Sequence, residues 1–228
     1  MKTRPAMKLS DKTISVLKNF SSINQSILFK EGNKLRTISV MKNILAEAEV
    51  EEEFPRDFAI YDLVQFLNGV SLHDNAQIDF TNESNLIIRE GKDRKTKYFF
   101  ADPSVIVSPP EKSIELPTED VSFNLDSTQL QSLLKASAVY QLPDLVAVGE
   151  AGVVKLVVRD KKNDTSNEYS ITVGETDQEF NFNFKVENIK ILPGTYEVVI
   201  SQKLLARFVN NNYNLTYYIA LEPDSTFG

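Results

Sequence analysis

Two stretches of this chain align with each other, and the order of elements around them repeats. Residues 9–24 (LSDKTISVLKNFSSIN) align with residues 125–140 (LDSTQLQSLLKASAVY), so that Leu9 falls on Leu125, Ile14 on Leu130 and Leu17 on Leu133. Phe54-Pro-Arg-Asp-Phe58-Ala-Ile60-Tyr-Asp62-Leu63 aligns with Phe180-Asn-Phe-Asn-Phe184-Lys-Val186-Glu-Asn188-Ile189, and Tyr98-Phe-Phe-Ala101 with Tyr217-Tyr-Ile-Ala220. A module duplicated at about half the chain length favours a tandem, pseudo-symmetric assembly over a single cleft with unique chemistry. The length, 228 residues, accommodates one large domain or two smaller ones, and a hydrophobic content of 42% supports a true core.

The hydrophobic pattern reads as helix, strands, helix, strands in each half. Residues 9–20 form a helix capped by Ser10 or Asp11, with Thr13, Ile14, Val16, Leu17 and Phe20 on one arc and Lys8, Lys12, Ser15, Lys18 and Asn19 opposite. Strands follow at 27–30, 35–40 and 44–50. A second helix at 62–70 buries Leu63, Val64, Phe66 and Leu67, with Asp62 at its N-terminus. Strands at 76–81, 86–90 and 95–101 complete the half. In the second half a helix at 127–140 turns Leu130, Leu133, Leu134 and Ser137 inward and Lys135 outward. Phe180, Phe182 and Phe184 alternate with Asn181, Asn183 and Lys185, a half-buried strand. A short helix at 186–192 ends at Pro193-Gly194. Pro103, Pro109, Pro110 and Pro117 make 102–122 an irregular linker between modules 7–101 and 123–228, with residues 1–6 as an extension. The expected class is α+β: two tandem pseudo-repeated modules with helices on one face of antiparallel sheets.

Chemistry is sparse. The chain has no cysteine, which removes disulfides, thiolate metal sites and a cysteine nucleophile and fits a reducing cytoplasm. No run approaches the ~18 apolar residues of a membrane span, and the basic N-terminus lacks the apolar stretch of a secretory signal. The single histidine, His73, reads as an exposed loop residue rather than a base. Glu47, Glu49, Glu51, Glu52 and Glu53 alternate with Ala48 and Val50, the solvated side of a strand rather than a cation site. No glycine-rich phosphate loop is present. No cofactor or metal is expected. The net charge of −7 argues against nucleic-acid binding on average, yet a basic face can sit on an acidic body. Lys8, Lys12 and Lys18 share a face of helix one, Lys135 the matching face of helix three, and Lys185 and Lys190 flank helix four. These are either solvated lysines or a common phosphate-facing surface that carries no base readout.

Several segments, taken in order, carry a resemblance: Met7-Lys-Leu-Ser10, Leu17-Lys-Asn-Phe20, Asp57-Phe-Ala-Ile-Tyr-Asp-Leu63, Ala101-Asp-Pro-Ser104, Leu130-Gln-Ser-Leu-Leu134, Phe180-Asn-Phe182, Pro193-Gly194 and Ala220-Leu-Glu-Pro-Asp-Ser-Thr226. From Met7 onward the chain resembles the DNA polymerase sliding clamps (processivity factors) of T-even-type tailed bacteriophages. The resemblance implies a non-enzymatic homotrimeric ring that holds duplex DNA without sequence preference, with Lys8, Lys12, Lys18, Lys135 and Lys190 facing the DNA. It also implies loading by an ATP-driven clamp loader, coupling to DNA polymerase and to late-transcription factors, and a place in the cytoplasm of the infected host cell. Partner peptides would enter a pocket of Ile106, Val107, Ile114, Leu116, Tyr218, Ala220, Leu221 and Pro223, although these linker residues equally suit a linker packed on its own sheet. Subunits would join through Lys97, Tyr98 and Phe99 of one copy and Tyr169 and Ile171 of the next. Two other readings stand beside this one: a structural phage protein of two β-rich modules without DNA binding, and an enzyme using carboxylates such as Asp62 and Glu187.

Overall fold

The computed structural model describes residues 6–228. It divides the chain into two compact units, one running to Glu111 and including Tyr213–Leu215, the other made of Lys112–Asn212 and Thr216–Gly228. The remainder of the expected N-terminal extension, residues 1–5, lies outside the described residues. Met7 already belongs to the fold: it exchanges backbone hydrogen bonds of 2.9 and 2.7 Å with Ile78.

The first unit contains α1 (Asp11–Ile23), β1 (Ile27–Phe29), β2 (Gly32–Ile38), β3 (Ile44–Phe54), β4 (Phe58–Ile60), α2 (Leu63–Ser71), β5 (Gln77–Asp79), β6 (Asn85–Glu90) and β7 (Arg94–Phe99). α1 starts two residues later than the apolar periodicity alone suggests, because Ser10 is the cap and accepts from the Thr13 amide at 3.2 Å. It continues to Ile23, burying Thr13, Val16, Leu17, Phe20 and Ile23. β2 and β3 form an antiparallel hairpin, closed where the Ser39 hydroxyl accepts from the amides of Asn43 and Ile44, each at 3.1 Å. β5, β6 and β7 make a three-stranded antiparallel sheet with β7 at one end. The rings of Phe29 and Phe58 stack with centroids 4.4 Å apart, and Phe54, Phe80 and Phe100 close around them. On α2, Leu63, Phe66, Leu67 and Val70 are buried, but Val64 is 49% exposed, which corrects its expected inward position. At about 100° per residue Val64 falls outside the arc the other four define.

The second unit contains β8 (Val121–Leu125), α3 (Ser127–Tyr140), β9 (Asp144–Glu150), β10 (Val153–Arg159), β11 (Tyr169–Glu175), β12 (Phe180–Lys185), β13 (Tyr196–Ser201), β14 (Leu205–Asn210), all of β15 (Leu215–Ala220) but its first residue, and β16 (Thr226–Phe227). One antiparallel sheet runs β11-β10-β9-β12-β16; β8, β13, β14 and β15 are neighbours in another. α3 starts with a reciprocal cap: the Gln129 amide donates to Asp126 Oδ1 at 2.8 Å and the Asp126 amide to Gln129 Oε1 at 3.0 Å. Its buried side is Leu130, Leu133, Ala136 and Ser137. The expected fourth helix is corrected to a single 3₁₀ turn, Val186–Asn188. Val186, Ile189 and Ile191 are β-branched, and Pro193 disfavours helical backbone at Leu192, so a second turn does not form. Instead Ile189 and Ile191 are buried and the Leu192 backbone is held between two tyrosines: its amide donates to the Tyr217 hydroxyl at 3.1 Å and its carbonyl accepts from the Tyr196 hydroxyl at 2.6 Å.

Candidate DNA-facing, docking and assembly surfaces

The lysine face of α1 is fixed from below by Glu52. β3 delivers this carboxylate, almost fully buried, beneath the helix start, where it accepts from the Ser10 amide and from the Thr13 hydroxyl, the latter at 2.5 Å. An expected solvated strand face thus conceals one structural acid. Glu47 and Glu49 do lie outward, paired with Arg36 at 2.7 Å and Lys34 at 3.4 Å. With Thr13 and Glu52 facing inward, Lys8, Lys12 and Lys18 are exposed. The Lys12 ammonium lies 5.8 Å from the centre of the Tyr213 ring, a cation–π contact within the first unit. Lys8 and Lys18 border an open groove of about 340 Å³ between α1 and the end of α2, which Asp11 and Asp74 also enter. α2 itself, LVQFLNGVS, carries no charge.

In the second unit Lys135 is exposed on α3 and is the one charged residue of that helix. Lys190 is exposed just beyond the 3₁₀ turn. Lys185 is a different matter. Its ammonium lies 2.5 Å from Oδ1 of Asp144, a side chain 1% exposed, so its charge is committed to the interior.

His73 is buried rather than exposed, a correction to its reading as a loop residue: it is 7% exposed, and Nε2 lies 2.9 Å from the Thr96 hydroxyl. The chain folds back after α2 so that the ring ties that turn to β7. Sequence spacing gave no signal of this contact. Among the described residues no group of three or more histidine, aspartate or glutamate side chains is arranged to hold a metal ion, and no helix is long and apolar enough to cross a membrane.

The residues expected to receive partner peptides fall in both units. In the first, Ile106 is buried and Val107 is 39% exposed, while the Asn24 side chain donates to the Val107 carbonyl at 3.2 Å and Arg36 to the Pro110 carbonyl at 2.7 Å. In the second, Ile114, Leu116, Tyr218 and Ala220 are half-buried, Pro223 is exposed and Leu221 is buried, its amide donating to the Leu204 carbonyl at 3.0 Å. Ile106 and Leu221 are therefore core residues of their units. The segment entering the second unit is pinned at Asp120, which accepts from Thr118 at 2.5 Å and from the Gln202 amide at 2.7 Å. Partial burial raises the Asp120 pKa, but these hydrogen bonds outweigh it and leave the carboxyl below its ordinary value.

Each unit ends one sheet in a free strand. β7 pairs with β6 on one side only, and β11 with β10 on one side only. Tyr98 faces inward, its ring edge-on to Phe66 at 5.4 Å and its hydroxyl donating to the Asp62 carbonyl at 3.2 Å. Burial pushes that hydroxyl above its ordinary pKa, and nearby Asp62 adds to the effect. Phe99 is 62% exposed with the Lys97 ammonium 5.6 Å from its ring centre, Tyr169 is 37% exposed and Ile171 is half-buried.

Comparison with known proteins identifies this arrangement. Residues 8–108 match the family described as DNA polymerase processivity factor, and residues 122–223 the family described as gp45 sliding clamp, C terminal. The chain is 35% identical over 223 residues to the sliding clamp of Vibrio phage KVP40, covering 95% of this chain and 99% of that one. It is 36% identical over 230 residues to the sliding clamp of Escherichia phage RB69, covering 96% and 99%. The proliferating cellular nuclear antigen of Entamoeba histolytica shares the fold with a TM-score of 0.73 at 13% identity, covering 97% of this chain and all of the other. The chain belongs to the sliding clamps, the DNA polymerase processivity factors of T4-like phages. It works as a clamp and not as an enzyme, which sets aside the carboxylate-enzyme and purely structural readings.

Proposed function

We propose that three copies of this chain join head to tail in a closed ring, that duplex DNA threads the ring, and that the ring tethers the replicative polymerase to its template. One observation carries the reading: the exposed sides of α1 and α3, the helix of each unit's repeat, bear Lys12, Lys18 and Lys135 against the single acid Asp11, in a chain of net charge −7. Lys8, Lys12, Lys18, Lys135 and Lys190 face the duplex and meet phosphates as point charges, with no sequence preference. Retention then comes from topology, so the contacts stay weak enough to permit sliding. β7 of one copy, with Lys97, Tyr98 and Phe99, adds to β11 of the next, with Tyr169 and Ile171, because exposed edges pair.

Polymerase peptides dock by apolar side chains on the second unit, at the linker residues Ile114 and Leu116 and the tail residues Tyr218, Ala220 and Pro223, with buried Leu221 beneath them. In the first unit Ile106 is a core residue and Val107 its exposed neighbour. An ATP-driven loader places the ring on DNA in the cytoplasm of the infected cell, and the same docking surface serves late-transcription factors. The test is retention on DNA after loading with loader and ATP. The ring stays on circular DNA and leaves when the circle is linearised; equal retention on both forms rules out threading.

A further inference from the structure

From the side-chain faces of the two free edges we infer a single register for the joint between copies: antiparallel, with Tyr98 opposite Ile171, Lys97 opposite Thr172, and Lys95 opposite Glu175. The inference rests on the ring reading and adds to it the alignment and a charge rule that selects it.

The core side of each strand is known from its existing ladder. On β11, Tyr169 lies opposite Val158 and Ile171 opposite Leu156, the side of β10 that also buries Val154, whereas Ser170 and Thr172 lie opposite Val157 and Lys155, on the side where Glu150, Lys155, Arg159 and Glu168 line an open pocket. On β7, Tyr98 turns inward to Phe66 and Asp62, and Thr96 inward to His73, leaving Lys95, Lys97 and Phe99 outward. Directly opposed residues project to the same face, so Tyr98 must meet Ile171 or Tyr169 and cannot meet Ser170 or Thr172.

A bulge in β11 decides between the remaining alignments. The ladder to β10 shifts between Val154 and Lys155, where Val154 faces Gly174 and Lys155 faces Thr172, leaving Val173 as the extra residue. With Tyr98 on Ile171, Phe100 comes opposite Tyr169, Lys97 opposite Thr172, and beyond the bulge Thr96 meets Gly174 and Lys95 meets Glu175. Sliding two residues one way takes Lys95 away from Glu175 and sets Asp93 against it, whereas in the preferred alignment the like pair, Asp93 with Asp177, falls beyond the ends of both strands. Sliding two residues the other way demands pairing from Ala101, whose amide already donates to the Ala59 carbonyl at 3.0 Å.

Charge supports the same alignment. Within the strands β7 carries Arg94, Lys95 and Lys97 and no acid, whereas β11 carries Glu175 and no base; the flanks add Lys92 and Asp93 before β7 and Glu168 and Asp177 around β11. A β7 edge therefore repels another β7 edge, a β11 edge repels another β11 edge, and only the head-to-tail joint brings opposite signs together. That joint is the kind that closes into rings rather than two-fold dimers.

The absence of cysteine makes the register directly measurable. In the full chain, K97C with T172C, oxidised at micromolar concentration, is expected to form disulfide-linked oligomers at least tenfold faster than K97C with S170C. Each variant is first checked for unchanged thermal melting. Equal or faster linking of the 97/170 pair overturns the register, as does failure of both pairs in a chain that sediments as a trimer. K95E is expected to weaken assembly at least tenfold, and K95E with E175K to restore it; no restoration overturns the charge rule. A wild-type chain that stays monomeric at every concentration removes the ring reading itself, and the register with it.

Discussion

The ammonium of Lys185 lies 2.5 Å from Oδ1 of Asp144, and the second oxygen of that carboxylate accepts from the Lys161 amide at 3.0 Å. Removing one member of a buried pair leaves the other charge uncompensated, so Lys185→Met is expected to cost about 3 kcal/mol. Urea unfolding measures it. The hydrogen bond that the Lys185 ammonium donates to Asp144 raises the Lys185 pKa above 10.5, so the pair's contribution is complete below that pH and is lost as pH climbs through the raised folded value. The stability difference between wild type and Lys185→Met therefore narrows at strongly alkaline pH and is constant between pH 6 and pH 9.

Glu52 anchors the start of α1. Glu52→Ala leaves the Ser10 amide and the Thr13 hydroxyl without their buried acceptor and is expected to destabilise by about 2 kcal/mol. Amide hydrogen exchange would rise first in the opening turn of α1. Unchanged protection there shows that the helix start is held by other contacts.

His73→Ala removes the link from the turn after α2 to Thr96 on β7. The loss of a buried ring and its hydrogen bond is expected to cost about 2 kcal/mol. Once the protein is folded, processivity is expected to stay unchanged. A loss of processivity at full folding would assign His73 a role beyond packing.

Lys12→Glu with Lys135→Glu reverses exposed charge in both units without touching a core side chain. Loading on circular DNA is expected to fall several-fold and its salt slope to flatten, with thermal melting unchanged within a degree or two. Unchanged loading places the DNA contact on other lysines.

Ile114→Asp is expected to impair polymerase coupling in primer extension while the sedimenting species keeps its size. Ile114 is half-buried, so the fold tolerates the change better than it would at Ile106. Normal coupling removes the linker from the docking surface.

The α+β plan was legible because it rests on local periodicity. The phenylalanines of β12 alternate with asparagines, and the arc of Val16, Leu17 and Phe20 marks α1. What escaped reading depends on contacts distant in sequence. Glu52 sits in an acidic run whose other members are outward, and only the meeting of β3 with Ser10 reveals it as a buried acceptor. His73 reaches Thr96 across a turn, and Asp144 meets Lys185 across a ladder. Val186–Asn188 was misread because a repeat argument carried the helix over from the first half, where no proline follows. Val64 was misread because an apolar residue next to a buried face looks like part of it. Lys12, Lys18 and Lys135 were legible as exposed positions, since polarity opposite a core arc is itself the signal, whereas Lys185 was not, because its partner Asp144 lies on another strand.

The internal use of Lys185 bears on friction. A duplex passing through such a ring would find only a sparse scatter of cations on each copy, and α2, which carries no charge, would add nothing for phosphates to cling to. Fewer displaced counterions mean a shallow energy profile along the helix axis, and a shallow profile lets thermal motion alone keep pace with a polymerase.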